Sequence, residues 1–391
     1  MLNTPFTPWP NFTTEEADVV RDVILSNRVN YWTGQECREF EKEFSSWTGV
    51  KYSVALTNGT VALDAALKAL GIGQGDEVVV TPRTFLASVS CIVNVGAIPV
   101  FADIDRNSQN ITAETIRPVL TQRTRAIICV HLAGWPCEMD PIMALAEEHN
   151  LFVIEDCAQA HGARYRGRSV GSFGHIGAWS FCQDKIMSTG GEGGMVTTND
   201  RTLWAKIWSY KDHGKSWEAI YERQHGPGFR WLHESFGTNW RMLEVQAAIG
   251  RIQLRRMEDW HSQRIDNAER IWTACREIQG LRVPVVPQDI EHAAYKCYVF
   301  VEPTSLKAGW DRERILQEIA DRGVPCYSGS CSEVYLEKAF DDTEWRPRER
   351  LPVARELGET SLMFLVHPGL TEAEIGKTVN VIKEVMVFAV G

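Results

Sequence analysis

A lysine near the middle of the chain lies in surroundings that suit a nucleophilic amine. Lys185 comes five residues after Ser180, which ends an apolar run, and directly precedes a glycine-rich stretch at residues 188–194. Apolar neighbours can lower the pKa of an amine and leave it nucleophilic, and glycines let a bulky ligand approach the backbone closely. Most single lysines are solvated surface charges, but these neighbours favour the reactive interpretation.

Two acids end another apolar run. Glu155 and Asp156 follow residues 151–154, and Gln159 comes three residues after Asp156. A carboxylate at the carboxyl end of a parallel strand lies where open α/β sheets bind their ligands. Asp156 could instead cap a following helix, and its position alone leaves the two interpretations equally open.

A glycine turn is placed where it could bind a phosphate. Thr57-Asn58-Gly59-Thr60 lies between a predicted strand and a predicted helix. The N-terminus of a helix offers free backbone N–H groups and the positive end of the helix dipole. An ordinary turn capped by Asn58 or Thr60 is the more common structure for such a sequence. Two other glycine-rich stretches, 71–75 and 188–194, lack the order of a dinucleotide fingerprint or a P-loop, so they predict neither nicotinamide nor ATP binding.

The candidate residues follow different predicted strands, so they can form one site only in a fold that brings the ends of those strands together. The pattern of the first half of the chain predicts such a fold. Short β-rich runs alternate with helical patterns from residue 51 to residue 198, and runs such as 78–80 and 127–130 are continuously apolar. Such runs are typical of parallel strands covered by helices on both faces, so we predict a large, mostly parallel seven-stranded sheet in an α/β domain. The predicted strands are Tyr52–Leu56, Glu77–Thr81, Pro99–Ala102, Ala126–Leu132, Leu151–Glu155, Gly177–Phe181 and Gly194–Thr198, and the predicted helices are Thr60–Leu70, Phe85–Asn94 and Asp140–Asn150.

The pattern changes after residue 240. Residues 240–278 combine apolar residues at helical spacing with many charges, which predicts one long helix or two broken helices between domains. A smaller α+β domain is expected to follow. We therefore predict a large domain of residues 1–240 with an N-terminal arm at 1–35, linking helices at 241–280 and a small domain at 281–391. The elements predicted for the small domain are strands Tyr298–Glu302 and Ser361–Val366 and helices Asp311–Arg322 and Thr371–Phe388.

Composition and charge exclude several classes of protein. The 391 residues include 41 lysines and arginines against 51 aspartates and glutamates, a formal net charge of −10, without a basic block. Binding to nucleic acid or to an anionic membrane is therefore not expected. No apolar run approaches the ~20 residues of a membrane helix, and residues 1–11 lack the order of a signal peptide, so we expect a cytoplasmic protein.

The ten cysteines do not form a recognisable framework. They show no Cys-x-x-Cys spacing, and most of them, Cys91 and Cys182 included, lie in apolar stretches, where a cysteine behaves as a small buried hydrophobic residue. This pattern predicts reduced thiols and no metal site.

The order and spacing of the motifs resemble those of the DegT/DnrJ/EryC1/StrS family. The similarity runs from about Trp32 to the C-terminus. Members of this family are fold-type-I, pyridoxal-phosphate-dependent aminotransferases that act on nucleotide-linked keto sugars, so the resemblance implies that fold, that cofactor and that activity. The matching residues are Asn58-Gly59-Thr60, Glu155–Ala163, Ser180-Phe181 with Lys185, the glycines between 190 and 194, and Asn239-Trp240-Arg241-Met242.

The resemblance also implies roles for individual residues. Lys185 would form the Schiff base with the cofactor, Asp156 would keep the pyridinium nitrogen protonated, and Gln159 would hydrogen-bond the ring hydroxyl. Phe85 would stack on the ring, with an ordinary core phenylalanine as the alternative. The phosphate would be held by Gly59, Thr60 and Ser180, joined by Asn239 from the partner subunit of a homodimer with shared active sites.

For the substrates, the resemblance implies L-glutamate as amino donor, 2-oxoglutarate as its product, and a nucleotide-linked sugar as acceptor. A 4-keto-6-deoxy hexose is the favoured acceptor, with a place in amino-sugar biosynthesis such as that of lipopolysaccharide O-antigen. Where the family often has a His-Tyr pair near the substrate, this chain has Pro325-Cys326-Tyr327-Ser328, and only Tyr327 fits. His213 and Arg230 are further substrate candidates, for which solvated loop positions are the alternative.

Two other activities remain to be weighed. A sugar 3-dehydratase of the same fold has histidine in place of the Schiff-base lysine, which Lys185 disfavours. A non-catalytic regulatory or binding protein of the same fold is disfavoured by the intact set of Lys185, Asp156 and Ser180.

Overall fold

The structure of the protein is a computed structural model that describes residue 2, residues 4–224, residues 226 and 228, and residues 230–391. The strands of these residues form a seven-stranded sheet, a four-stranded sheet and a three-stranded sheet. The strands are β1 (Tyr52–Leu56), β2 (Glu77–Val80), β3 (Ile98–Phe101), β4 (Thr124–Val130), β5 (Phe152–Asp156), β6 (Arg164–Tyr165), β7 (Arg168–Ser169), β8 (Ile176–Ser180), β9 (Gly194–Thr198), β10 (Leu281–Arg282), β11 (Ile290–Glu291), β12 (Cys297–Val301), β13 (Cys326–Tyr327) and β14 (Ser361–Phe364).

Helices cover both large sheets. The α-helices are α1 (Thr14–Leu25), α2 (Glu36–Thr48), α3 (Gly59–Leu70), α4 (Ala87–Asn94), α5 (Ala113–Ile116), α6 (Met139–Glu148), α7 (Arg201–Tyr210), α8 (Trp217–Tyr221), α9 (Glu244–Arg255), α10 (Met257–Arg276), α11 (Arg312–Asp321), α12 (Pro352–Thr360) and α13 (Glu372–Ala389).

The seven-stranded sheet confirms all seven predicted strands, with ends shifted by one or two residues. Its order is β1-β9-β8-β5-β4-β2-β3. β3, β2, β4, β5 and β8 are parallel, and β9 runs antiparallel to both of its neighbours. The continuously apolar runs have the predicted cause, because Val78 and Val80 pack into the core on one face and Val79 packs into the core on the other.

The second half of the chain also follows the predicted pattern. The linking segment forms two helices, α9 and α10, which break at Arg256. β12 and β14 pair in the four-stranded sheet β10-β12-β14-β13; α10 and α11 pack against this sheet, and α13 packs on α10 and α11. The two-residue strands β10 and β13 were missed because elements this short give little periodic signal. The helix α12 was missed although its buried residues Ala354, Leu357 and Thr360 recur at helical spacing. The boundaries at residues 240 and 280 stay a prediction.

Two expectations from composition can be compared with the structure. All ten cysteines are free thiols, but Cys182 is only half-buried, because it lies just beyond the end of β8 rather than within the sheet. Among the described residues, no helix is both long enough and apolar enough to cross a bilayer.

Candidate active site

Lys185 lies at the wall of a cavity of about 680 Å³ at the carboxyl ends of the parallel strands. It follows β8, as Phe85 follows β2 and Gln159 follows β5, and all three side chains line this cavity. Carboxyl ends of parallel strands meet at one edge of the sheet, which is why residues distant in sequence come together here. The Nζ atom of Lys185 lies 3.6 Å from Oδ1 of Asp184 and 5.3 Å from the centroid of the Tyr295 ring.

Asp156 is a buried carboxylate at the end of β5. Its Oδ2 accepts a hydrogen bond from the Ser88 hydroxyl at 2.7 Å, and its Oδ1 accepts one from the backbone N–H of Ala158 at 3.1 Å. Burial raises the pKa of Asp156, although these hydrogen bonds and the charge of Lys185 act in the opposite direction. The helix-cap alternative is wrong, because a turn and then β6 follow this residue. A buried carboxylate is stabilised by a cation, and a protonated ring nitrogen would supply one.

The phosphate-binding prediction has a structural basis at the start of α3. The side chain of Asn58 caps this helix by accepting a hydrogen bond from the backbone N–H of Val61 at 3.0 Å. Leu56 of β1 and Ser180 of β8 both pair with Gly194, so the loop after β1 lies against Ser180. A Cβ atom on Gly59 would come within 2.5 Å of the Ser180 Cβ, so only glycine allows this approach. The first N–H groups of α3 and the Ser180 hydroxyl therefore lie close together, an arrangement that suits an anion.

Phe85 and Gln159 lie where a planar ligand could contact them. The Phe85 side chain is 71% exposed, so the core alternative is wrong and its ring is free to pack on a ligand. Gln159 is mostly buried, and its Oε1 accepts a hydrogen bond from the backbone N–H of Ala133 at 2.8 Å. This bond leaves the Gln159 amide group available to donate into the cavity.

The structure brings only part of the predicted substrate set to this cavity. Tyr327 lines it and is half-exposed. His213 and Arg230 are exposed and do not belong to its lining. Asn239 is also exposed, and the backbone carbonyl of the next residue, Trp240, accepts a hydrogen bond from the Thr57 N–H of the same chain. The contributions of these residues stay predictions.

The sequence analysis missed several residues at this cavity. The Tyr295 hydroxyl donates a hydrogen bond to Asp184, and Lys296 and Glu337 line the same space. Burial lowers the pKa of Lys296 to about 8; the charge of Asp184 opposes this shift, and the charges of Arg264 and Lys185 reinforce it. For Asp184, the charge of Lys185 and the hydrogen bond from Tyr295 outweigh burial and lower the pKa. The available signal was a lysine at the start of the apolar run 297–301.

A buried group of metal-ligating residue types lies next to the site. Ligand atoms of His131, Glu155 and Cys157 lie within 4.8 Å of one another. Glu155 already accepts hydrogen bonds from three backbone N–H groups and pairs with His131, whose Nδ1 accepts the Cys137 N–H. The ligand atoms of His131 and Glu155 are thus used in holding the loop after β5, and the group has a structural role.

Comparison with known proteins gives full-length matches. The model of the DegT/DnrJ/EryC1/StrS aminotransferase family matches residues 10–383. The spore coat polysaccharide biosynthesis protein SpsC of Bacillus subtilis is 35% identical, over 95% of this chain and 94% of its own. GDP-perosamine synthase of Escherichia coli O157:H7 is 34% identical, over 94% of each chain. A UDP-N-acetyl-3-dehydro-alpha-D-glucosamine 3-aminotransferase of Acidithiobacillus ferrooxidans is 34% identical, over 94% of this chain and 95% of its own.

Solved structures agree with these relatives. An aminotransferase from Psychrobacter cryohalolentis superposes with a TM-score of 0.97 at 65% identity, covering 98% of this chain and 99% of its own. The putative sugar aminotransferase Spr1654 from Streptococcus pneumoniae, in its PMP form, superposes with a TM-score of 0.89 at 25% identity, with coverage of 98% and 99%.

Proposed function

Because this chain belongs to the DegT/DnrJ/EryC1/StrS aminotransferase family, whose cofactor is pyridoxal 5′-phosphate, we propose that it transfers an amino group from L-glutamate to a nucleotide-linked keto sugar. The observation that carries this proposal is the position of the Lys185 amine in the cavity, within electrostatic reach of the buried Asp156 carboxylate. A sugar dehydratase of this fold would have histidine at the position of Lys185, and a binding protein would not need the pair.

The residues of the cavity fit the cofactor. Gly59, Thr60 and Ser180 would hold its phosphate, Asp156 its ring nitrogen, and Phe85 and Gln159 its ring. When bound, pyridoxal phosphate condenses with amino groups and withdraws electrons from the neighbouring carbon.

The chain itself supplies positioning and proton transfer. With the cofactor bound, the Lys185 amine would serve as the general base that accepts a proton from the amino donor and as the general acid that returns one on the way to the amino sugar. Asp184 and the Tyr295 ring orient its amine. Asp156 keeps a negative charge opposite the ring nitrogen and so stabilises the charge that develops in the transition state.

The relatives support the substrate class. Two of them are named for nucleotide sugars, a GDP-linked and a UDP-linked one, and a third for polysaccharide synthesis. We propose a 4-keto-6-deoxy hexose as the acceptor and a product used in a surface polysaccharide such as O-antigen. The cytoplasm remains the expected location.

A homodimer with shared active sites belongs to the same proposal. Trp231 is 91% exposed and Phe236 is fully exposed, and both come shortly before Asn239 in the chain. Large apolar groups exposed this far favour burial against a second protein surface. A partner copy of this chain would cover them and bring its Asn239 to the phosphate site.

Absorbance of the bound cofactor tests the proposed function. The purified enzyme should be yellow, lose this absorbance with L-glutamate and recover it with a keto-sugar nucleotide drawn from a panel. Lys185→Ala should abolish turnover while leaving the fold intact, as circular dichroism would check. Near-native activity in Lys185→Ala would reject the assignment of this lysine.

A further inference from the structure

A second lysine lines the active-site cavity, and the roles assigned so far do not use it. Lys296 immediately precedes β12 and is partly buried. Its Nζ atom lies 4.8 Å from the centroid of the Tyr295 ring, and the Nζ of Lys185 lies 5.3 Å from the same centroid. The two amino groups therefore lie against one aromatic ring at the wall of one cavity.

Two amines and two carboxylates line this cavity, Lys185 and Lys296 together with Asp184 and Glu337. The Asp184 carboxylate already accepts the Tyr295 hydroxyl and lies beside Lys185. The charge of Asp184 also acts on Lys296, but the close contacts of the Asp184 carboxylate are with Tyr295 and Lys185. An incoming carboxylate could therefore contact the Lys296 amine directly and add to this longer-range attraction.

Arg264 of α10 adds a further positive charge behind this wall. Its side chain is 1% exposed, and neither Nε nor Nη2 has a hydrogen-bond partner among the described residues. Its guanidinium carbon lies 5.0 Å from the centroid of the Trp9 ring. Burial lowers the pKa of Arg264 to about 9, so the group is still charged at neutral pH. A buried cation without a counter-ion is costly, and an anionic ligand nearby reduces that cost.

The rest of the cavity has a different character. Tyr327 and Ser330 offer hydroxyl groups, which suit the hydroxyl groups of a sugar, and Glu337 offers a carboxylate that can accept hydrogen bonds from them. The amino donor, by contrast, must bring its amino group to the Lys185 side of the cavity. Its carboxylates are within a few bonds of that amino group, and Lys296 lies against the same Tyr295 ring as Lys185.

We propose that Lys296 binds a carboxylate of the amino donor, with the buried Arg264 adding positive potential from behind. This inference rests on the proposed function and adds to it the residue that recognises the donor. The ammonium group supplies a compact charge with three hydrogen-bond donors.

The two half-reactions, measured separately by cofactor absorbance, test this assignment. Lys296→Met removes the charge at similar length. The L-glutamate concentration that gives half the maximal rate should rise roughly ten- to hundredfold, as expected for loss of one charge-assisted hydrogen bond. The half-reaction with the keto sugar should keep its concentration dependence. Lys296→Arg should restore much of the glutamate affinity, and Lys383→Met, at an exposed position on α13, is the matched control.

Two further ligands, glutarate and L-alanine, show which carboxylate of the donor Lys296 binds. Glutarate has no amino group, so its equilibrium binding to the cofactor-loaded enzyme, followed by tryptophan fluorescence, reports recognition without turnover; Lys296→Met should weaken it by a similar factor. L-Alanine has only the α-carboxylate: weakening for both amino acids assigns Lys296 to that group, and weakening for L-glutamate and glutarate alone assigns it to the side-chain carboxylate.

Unchanged L-glutamate and glutarate affinity in Lys296→Met would overturn the inference, as would a loss confined to the sugar half-reaction. Either result leaves the proposed function standing. A wild-type enzyme whose cofactor absorbance responds to no amino donor would instead reject the proposed function, and this inference with it.

Discussion

Burial gives Asp156 its electrostatic role. The carboxylate is 6% exposed and receives hydrogen bonds from Ser88 and Ala158, neither of which brings a positive charge. Burial therefore raises its pKa, and a cationic ring nitrogen would reverse that shift. Ser88, on α4, gave no signal in the sequence, since nothing near it in the chain pointed to a partner on β5.

Asp156→Asn keeps the shape of this side chain and removes its charge. We expect the rate at saturating cofactor to fall by hundreds-fold, about 3–4 kcal/mol of barrier, because the ring nitrogen loses the anion that keeps it protonated. Steady-state kinetics over a range of cofactor concentrations measures this effect, with the exposed Asp266→Asn as control. A weaker cofactor affinity with an unchanged saturating rate would make Asp156 a binding residue only.

At the scale of elements, the N-terminal arm contacts the catalytic loop directly. The indole N–H of Trp9 donates a hydrogen bond to the Lys185 carbonyl at 2.8 Å. The Trp9 ring stacks on His367 at a centroid distance of 5.6 Å and meets the edge of Trp260 on α10 at 5.1 Å. The arm was predicted from the sequence, but its contact with Lys185 was not.

Trp9→Phe removes the indole N–H and retains an aromatic ring. We expect the free energy of unfolding to fall by about 1 kcal/mol and kcat to fall severalfold, because the Lys185 backbone loses a fixed hydrogen bond. Chemical denaturation and steady-state kinetics measure the two effects, and Trp310→Phe, outside the cavity, is the control. If kcat stays at the wild-type value, the arm contributes to stability alone.

At the scale of the whole molecule, buried histidines make stability depend on pH. Burial lowers the pKa of His161 and of His292 to about 3, and that of His367 to about 4, from 6.5. At pH values between these folded-state pKa values and 6.5, the three histidines bind more protons in the unfolded chain than in the folded protein. The free energy of unfolding is therefore unaffected by the protonation of these histidines above pH 6.5. Below pH 6.5 it falls by about 1.4 kcal/mol per pH unit for each histidine.

His161→Phe tests one part of this dependence. His161 packs against Trp179 and Phe181, so a phenylalanine retains the packing and cannot be protonated. The loss of unfolding free energy between pH 7.5 and 5.5, measured in urea, should be about 1 kcal/mol smaller than in the wild type. His149→Gln, at an exposed position, should leave the slope unchanged. An equal slope in His161→Phe would contradict the expectation.

The proposed shared site predicts complementation between two inactive variants. Lys185→Ala and a disabling Asn239 variant, unfolded and refolded together, should give about half mixed dimers. One site of each mixed dimer then carries both lesions and the other carries neither, so activity should return to about a quarter of the wild-type value. Mixed dimers without activity above the parents would place both residues in the same subunit's site.

The sequence by itself determined the sheet and predicted the candidate residues that follow its strands. Runs such as 78–80 report burial on both faces, and that burial is a local property of the chain, so all seven strands could be found from the sequence. Lys185, Asp156 and the Gly59 turn each follow such a strand, and a parallel sheet places their strand ends at one edge.

Only the tertiary structure decided what surrounds those residues. An apolar pattern indicates that a side chain is buried or exposed along one element, but it does not say which distant surface lies opposite. The sequence therefore could not decide whether Phe85 lies in the core or at the cavity, and only the packing shows that it is exposed. Lys296 and Arg264 come from the chain beyond residue 240, and Trp9 from its beginning. Their positions around Lys185 follow from how the linking helices and the small sheet pack against the large sheet, because long-range packing, rather than local periodicity, sets those distances.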